Sequence, residues 1–111
     1  MISLMSIKVE FIGHACFRIW VNGHPLVLTD PYPPIRLGLP PLEPLEAETV
    51  IVSSLTDEAH SNIQLVQGTP QVINALDIAR GQSAIIGSED VIAVEATEAR
   101  VHPRGPQDNA L

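Results

Sequence analysis

Three segments near the start of the chain carry the pattern of β-strands. Residues Ile7–Phe11 alternate between apolar and polar side chains, which is typical of a strand that buries one face. Two further apolar segments follow at Cys16–Val21 and Pro25–Thr29. The dipeptide Asn22-Gly23 between them favours a tight hairpin, because both turn positions need a positive φ. We therefore predict an antiparallel meander of three strands over residues 7–30.

This meander predicts where two polar residues lie. His14 follows Gly13 in the turn after the first strand, and Asp30 directly follows the third strand. The chain runs up the first strand, down the second and up the third, so both residues should emerge at the same end of the sheet. A bulge that reversed one strand would separate them. We therefore expect His14 and Asp30 to meet at one edge.

The rest of the chain predicts shorter elements. Residues 32–44 hold five prolines, which do not fit a helix or a central strand, so we expect a semi-rigid surface loop. Val50–Ser53 is a predicted fourth strand, and Ala59–Val66 can form two helical turns before Gly68-Thr69-Pro70. The tail, residues 103–111, predicts no helix. Further short strands are predicted at Val72-Ile73, Ala84–Ile86, Val91–Ala96 and Arg100–His102, with a turn at Gly87–Asp90.

Composition limits the kind of protein that these elements build. The chain has 111 residues, 45% apolar and 17% charged, which predicts a single globular domain over residues 1–111. The net charge is −7 and the arginines are scattered, so nucleic acid is disfavoured as a partner. No apolar run approaches the ~20 residues of a membrane span, so we expect a cytoplasmic protein with no membrane partner. Cys16 is the only cysteine and should be a core thiol, which excludes an internal disulfide.

The fourth predicted strand runs into a polar turn that has two interpretations. Asp57, Glu58 and His60 follow the strand within one turn, and such side chains can bind a metal ion or exchange protons. The same stretch is also typical of a helix start, with Ser54 or Thr56 as the N-cap and acids in the first turn. From the residues alone, the helix start is favoured.

Three motifs stand in order along the chain: Phe-Ile-Gly-His-Ala-Cys-Phe at 11–17, Leu-Thr-Asp-Pro-Tyr at 28–32, and the strand and turn at 50–62. Together they resemble the metallo-β-lactamase superfamily, and within it the branch of metal-dependent hydrolases typified by ascorbate-6-phosphate lactonase. The resemblance covers residues 7–110 and about the first half of a family domain. It implies an α/β, β-rich fold that is half of a four-layer αββα sandwich, with one or two short helices.

The resemblance also implies a metal site. In that family the strand before the helix ends in a His-x-His-x-Asp-His motif, which binds one or two metal ions, usually zinc. Aligned on His60, this chain has Leu55 and Asp57 at the two earlier histidine positions and Ala59 at the aspartate position. His102 stands where the family has its next histidine ligand. The implied metal ligands are therefore Asp57, His60 and His102, and the lost ligands predict that zinc binds weakly or not at all.

Two further residues receive catalytic roles from the resemblance. His14 would lie at the rim of the active site in contact with substrate, and Asp30 would orient a metal-bound water or a ligand histidine. The residues alone equally allow a hydrogen-bonded turn histidine and an Asx-type turn. The implied function is metal-dependent hydrolysis of lactone or phosphoester-like substrates, impaired here by the degraded motif and an absent C-terminal half. The alternative is a non-catalytic domain for self-association or partner binding.

A half sandwich would leave one face of its sheet uncovered, and apolar faces of that size rarely stay bare. The exposed face would carry Ile7, Val9 and Phe11 on the first strand. On the second strand it would carry either Phe17, Ile19 and Val21 or Cys16, Arg18 and Trp20. We therefore expect a homodimer or a larger homo-oligomer, unless a C-terminal half of the domain covers this face.

Overall fold

The first five strands form one mixed sheet. The computed structural model describes residues 5–86, 89–90, 95–97 and 108–110. Neighbouring strands follow chain order: β1 (Ile7–Gly13), β2 (Cys16–Val21), β3 (His24–Thr29), β4 (Thr49–Val52) and β5 (Gln71–Asn74). β1, β2 and β3 pair antiparallel, whereas β3, β4 and β5 pair in parallel. The predicted meander and fourth strand are confirmed, and the described fold is β-rich with few helices.

The remaining described elements are short. One α-helix, α1, spans Ala75–Ala79, and two single 3₁₀ turns span Ile35–Leu37 and Ile63–Leu65. Two small antiparallel pairs join β6 (Ile85–Ile86) to β7 (Glu89–Asp90) and β8 (Glu95–Thr97) to β9 (Asp108–Ala110). In the part of the chain that the structure describes, no helix is long and apolar enough to cross a bilayer.

Three predictions of local structure need correction or remain outside the description. The predicted helix over Ala59–Val66 is wrong, since only the 3₁₀ turn at Ile63–Leu65 forms there. The predicted turn at Gly87–Asp90 is wrong at its second half, because Glu89 and Asp90 belong to β7. The predicted strand Arg100–His102, and with it the candidate ligand His102, lies outside the described residues.

The tight turn between β2 and β3 follows from two residues that accept left-handed backbone. Asn22 has φ 51° and Gly23 has φ 76°, as a type I′ turn requires. Asn22 also ties this turn to the residue before β1. Its N–H donates to Ser6 O at 2.8 Å, and its Oδ1 accepts from Ser6 N at 2.9 Å. Two register shifts occur in the meander, but neither reverses a strand. The turn therefore fixes the direction of β3.

One face of the sheet is covered by the proline-rich loop. The core residues on this face are Cys16, Leu28, Tyr32, Val50, Val52 and Val66. Leu39, Leu42, Leu45 and Ala47 from the loop and its continuation pack against them. Leu45 is held in place because its N–H donates to Leu65 O and its carbonyl accepts from Gln67 N, both at 2.8 Å. The predicted surface loop is therefore also the cover of the hydrophobic core.

The two faces of the β1–β2 hairpin differ in character. Cross-strand register places Lys8 opposite Trp20 and Glu10 opposite Arg18 on the core side of the sheet. The other face pairs apolar residues, which we call the β1–β2 apolar face: Ile7 with Val21, Val9 with Ile19 and Phe11 with Phe17. Of the two rows considered for the second strand, the structure thus selects Phe17, Ile19 and Val21.

Candidate functional site

The candidate site lies at the end of the sheet where three chain segments meet. His14 occupies the turn between β1 and β2, Asp30 follows β3, and the loop 53–62 follows β4. Because β4 runs parallel to β3, Ser53 emerges beside Asp30. The structure therefore brings His14, Asp30, Asp57 and His60 to the same edge of the sheet.

The carboxylate of Asp30 is the centre of this cluster. Its Oδ1 accepts a hydrogen bond from Ser53 N at 2.6 Å, and its Oδ2 accepts from Ser53 Oγ at 2.8 Å. Oδ2 also lies 3.0 Å from His60 Nδ1. We call the three residues Asp30, Ser53 and His60 the Asp30 clamp, since they join the ends of β3 and β4 to the following loop.

The clamp sets the orientation of the His60 ring. A carboxylate only accepts hydrogen bonds, so the proton of the bond to Asp30 belongs to His60 Nδ1. His60 Nε2 then faces Asp57 Oδ2 at 3.8 Å, which is too long for a hydrogen bond. The ring of the exposed His14 lies beside it, with 5.1 Å between ring centroids. Two imidazoles and two carboxylates therefore share one small surface.

Local hydrogen bonds shape the loop that carries His60. Asp57 Oδ1 accepts from Ala59 N at 3.1 Å, and Asp57 O accepts from His60 N and from Ser61 Oγ. Asn62 N donates to Pro31 O at 2.8 Å, which ties the loop to the segment after β3. Such side-chain bonds compete with helical hydrogen bonds. They explain why the predicted helix start gives a turn instead.

Backbone geometry adds strain at two of the predicted site residues. His14 has φ 49° and Asp30 has φ 42°, and residues other than glycine rarely adopt this left-handed region. Gly13 precedes His14 because Tyr32 packs against its Cα: an added Cβ would lie 2.3 Å from the phenol oxygen. Strained residues of this kind concentrate at functional sites. The strain thus marks the same edge of the sheet as the side-chain cluster.

The donor set does not fit the zinc site that the family implies. Leu55 offers no ligand and is 50% exposed, and Ala59 supplies only its backbone N–H. Of the implied ligands, His60 and Asp57 are the two that the described ranges contain, while a catalytic zinc needs about three protein ligands. Within the described ranges, no group of three or more His, Cys, Asp or Glu side chains could hold a metal ion.

A largely apolar cleft of about 400 Å³ opens beside Asp30. The residues that line it are Ala15, Phe17, Thr29, Asp30, Ile51, Ser53 and Ala75. Sequence reasoning missed both this cleft and the role of Ser53. The position of Ser53 at the end of a strand parallel to β3 was the feature that could have identified it.

Cys16 takes no part in this chemistry. It is fully buried in the core, as expected, and burial raises the pKa of its thiol to about 12. Because the thiolate is the reactive form, a buried neutral thiol is a poor nucleophile. Burial also raises the pKa of the neighbouring Tyr32 phenol. These two groups therefore act as core residues.

The comparisons with known proteins give one positive result. No curated protein and no solved structure matches the chain. Residues 8–111 match the family model described as the beta-lactamase superfamily domain. This match includes the strained turn at His14, the Asp30 clamp and the loop that carries His60. The chain belongs to the beta-lactamase superfamily.

Proposed function

We propose that this chain is a metallo-β-lactamase-type hydrolase domain whose metal-dependent activity is impaired. The observation that carries the proposal is that His60 keeps its place in the metal-binding motif while the ligands around it are lost. His60 is bonded to Asp30 through Nδ1, while the positions that should supply two further ligands hold Leu55 and Ala59. The three sequence motifs support a relationship to the branch typified by ascorbate-6-phosphate lactonase, with lactone or phosphoester-like substrates as the substrate class, and a half sandwich as the architecture.

The chemistry of the cluster follows from its hydrogen bonds. Both Asp30 oxygens accept from protein donors, so this carboxylate is engaged in holding Ser53 and His60. Asp57 and His60 alone do not make a catalytic zinc site, so the described residues supply no hydrolytic step through zinc. The residues present hold the loop after β4 in place and keep His14 beside His60.

A second function, self-association without catalysis, is favoured by a different observation. The β1–β2 apolar face is exposed although its hairpin has a polar opposite face. The exposed side chains of this surface belong to β1 and β2 and need no metal ion. It therefore supports self-association even if the chain hydrolyses no substrate.

Metal content is the first test of impaired activity. After dialysis, elemental analysis should find well under one zinc or manganese ion per chain. The triple variant Leu55→His, Asp57→His, Ala59→Asp restores the motif ligands and should bind zinc more tightly than the parent chain. Stoichiometric zinc in the parent chain contradicts the proposal, and an unchanged affinity in the triple variant contradicts the alignment on His60.

Hydrolysis is the second test. A screen of lactones, esters and phosphodiesters with added zinc or manganese should give no rate above background. The decisive pair of variants is His60→Ala and His24→Ala, because His24 is an exposed hairpin residue paired with Glu48 at 2.9 Å, away from the cluster. Turnover that disappears in His60→Ala and persists in His24→Ala would show that the site is active after all.

A further inference from the structure

The polar face of the β1–β2 hairpin is internally satisfied. Glu10 Oε1 accepts from Arg18 Nε and from Trp20 Nε1, both at 2.9 Å. Lys8 Nζ lies 4.4 Å from the centre of the Trp20 ring, and the Arg18 guanidinium lies 4.8 Å from it. Cations over an indole ring are attracted by its π electrons. The polar groups of this face are therefore satisfied within the chain, and the opposite face of the same hairpin is the one that needs a cover.

Among the residues that the structure describes, nothing covers the β1–β2 apolar face in this way. Ile7 is 59% exposed, Val9 63%, Phe11 63% and Phe17 40%. An antiparallel sheet normally turns its polar face to solvent and its apolar face to a core. Here three of the large apolar side chains follow one another along the same side of β1, and Phe17 stands opposite Phe11 on β2. A contiguous apolar patch of this kind marks an interaction surface.

The same side of the sheet carries the apolar cleft as well as exposed aromatic rings. The register places Phe17, Thr29 and Ile51 on this side of the sheet, and all three line the apolar cleft beside Asp30. Phe17 forms the boundary between patch and cleft. The Phe11 ring lies next to it, with 5.2 Å between the two ring centroids. A protruding aromatic ring and a cleft of about 400 Å³ thus lie side by side on one surface.

We propose that a second copy of this chain covers the β1–β2 apolar face, and that Phe11 of each copy enters the cleft of the other. A two-fold axis between the copies makes the surface self-complementary, because each copy offers its Phe11 ring to the cleft of the other. The patch would bury its four exposed side chains, and each cleft would gain an apolar occupant. The proposal rests on the second proposed function, self-association, and makes it specific, whereas it does not depend on whether the chain hydrolyses a substrate.

The available area meets the requirement of a stable dimer. At their observed exposures, the four side chains leave on the order of 400 Å² of apolar surface per copy, or roughly 800 Å² for a pair. A standard interface at its lower limit buries about 1,200 Å², of which about 65% is apolar in homodimers. The apolar area required is therefore also roughly 800 Å², before the half-buried Ile19 and Val21 contribute.

Charge gives the association a recognisable salt dependence. Each chain carries a net charge of −7, so two copies repel each other at low ionic strength. The proposed contact itself is apolar and gains nothing from opposite charges. Added salt screens the repulsion and should strengthen the dimer, whereas an interface held by ion pairs would weaken.

The test measures mass in solution by light scattering and sedimentation at micromolar concentration. The parent chain should show twice its 12.0 kDa mass. Phe11→Asp should raise the dissociation constant at least about thirty-fold, as loss of a central aromatic anchor does. The matched control is Ile35→Asp, because Ile35 is 76% exposed but lies in the 3₁₀ turn outside the patch. This control should remain dimeric.

A second pair of variants tests the cleft separately from the patch. Ala15 lines the cleft, so Ala15→Phe fills it from within and should weaken the dimer, while Ala15→Ser leaves it open and should not. Circular dichroism confirms that each variant is folded. A monomeric parent chain overturns the proposal. The face would then be covered by a different partner or by another segment of the polypeptide. A dimer that is equally sensitive to Phe11→Asp and Ile35→Asp overturns it as well.

Discussion

Replacing Asp30 tests whether its hydrogen bonds hold the candidate site together. Its carboxylate accepts three hydrogen bonds, and its side chain is only 14% exposed. Asp30→Ala removes all three bonds, leaves the buried Ser53 N–H without its acceptor, and forces alanine into a backbone with φ 42°. Each hydrogen bond to a charged group contributes about 1.5–3 kcal/mol, and an unsatisfied buried donor costs about 1–3 kcal/mol. Since such contributions overlap, we expect a loss of about 3–5 kcal/mol in the free energy of unfolding.

Asp30→Asn separates acceptor geometry from charge. Asparagine keeps one acceptor oxygen for Ser53 N and tolerates left-handed backbone, so its loss should be about 1–2 kcal/mol. Exposed Asp77, in the first turn of α1, supplies the matched control, and Asp77→Ala should change stability by less than about 0.5 kcal/mol.

Urea unfolding followed by the fluorescence of Trp20, the only tryptophan, measures all three variants. The protein concentration must be the same throughout, since association would shift the midpoint. An Asp30→Ala loss no larger than that of Asp77→Ala would refute this role of Asp30. Equal losses in Asp30→Asn and Asp30→Ala would instead assign the effect to the negative charge.

Three further predictions concern the core and the hairpin. Gly13→Ala should destabilise the chain by about 1–3 kcal/mol because its Cβ meets the Tyr32 phenol, and Tyr32→Phe in the same chain should relieve part of this loss in a double-mutant cycle of urea midpoints. Burial raises the pKa of Cys16 from 9.0 to about 12, so its contribution is fully present below pH 9 and is lost as pH rises toward 12; Cys16→Ala should flatten this alkaline part of the stability curve. Hydrogen bonds from Arg18 and the indole N–H lower the pKa of Glu10, so its contribution is present above pH 4.5 and is lost as pH falls below it; Glu10→Gln should make the acid limb of the same curve shallower.

The meander was predictable because its determinants are local. Alternation in Ile7–Phe11 and the Asn22-Gly23 turn fix strand direction, and strand direction alone places His14 and Asp30 at one end of the sheet. The pairing of β3 with β4 and the bond from Asp30 to Ser53 join segments far apart in the chain. Periodicity within a short segment carries no information about such pairings.

The errors have equally local physical causes. The predicted helix at 59–66 does not form because Asp57 fixes a turn instead. Its Oδ1 accepts from Ala59 N, and its backbone carbonyl accepts from Ser61 Oγ. α1 was missed because five residues are too few to show a helical period, although Asn74 caps it by accepting from Leu76 N at 3.2 Å. The prolines of the loop predict extended backbone, but they do not predict which leucines between them face the core.

The Asp30 clamp also has a consequence for how this chain tolerates sequence change. In a site where a metal ion neutralises clustered carboxylates, removal of a ligand leaves a buried charge without a partner. Here Ser53 and His60 satisfy Asp30 through protein hydrogen bonds, and Leu55 lies at the surface. We therefore expect that positions 55 and 59 can exchange metal ligands for other residues, in either direction, without loss of the fold.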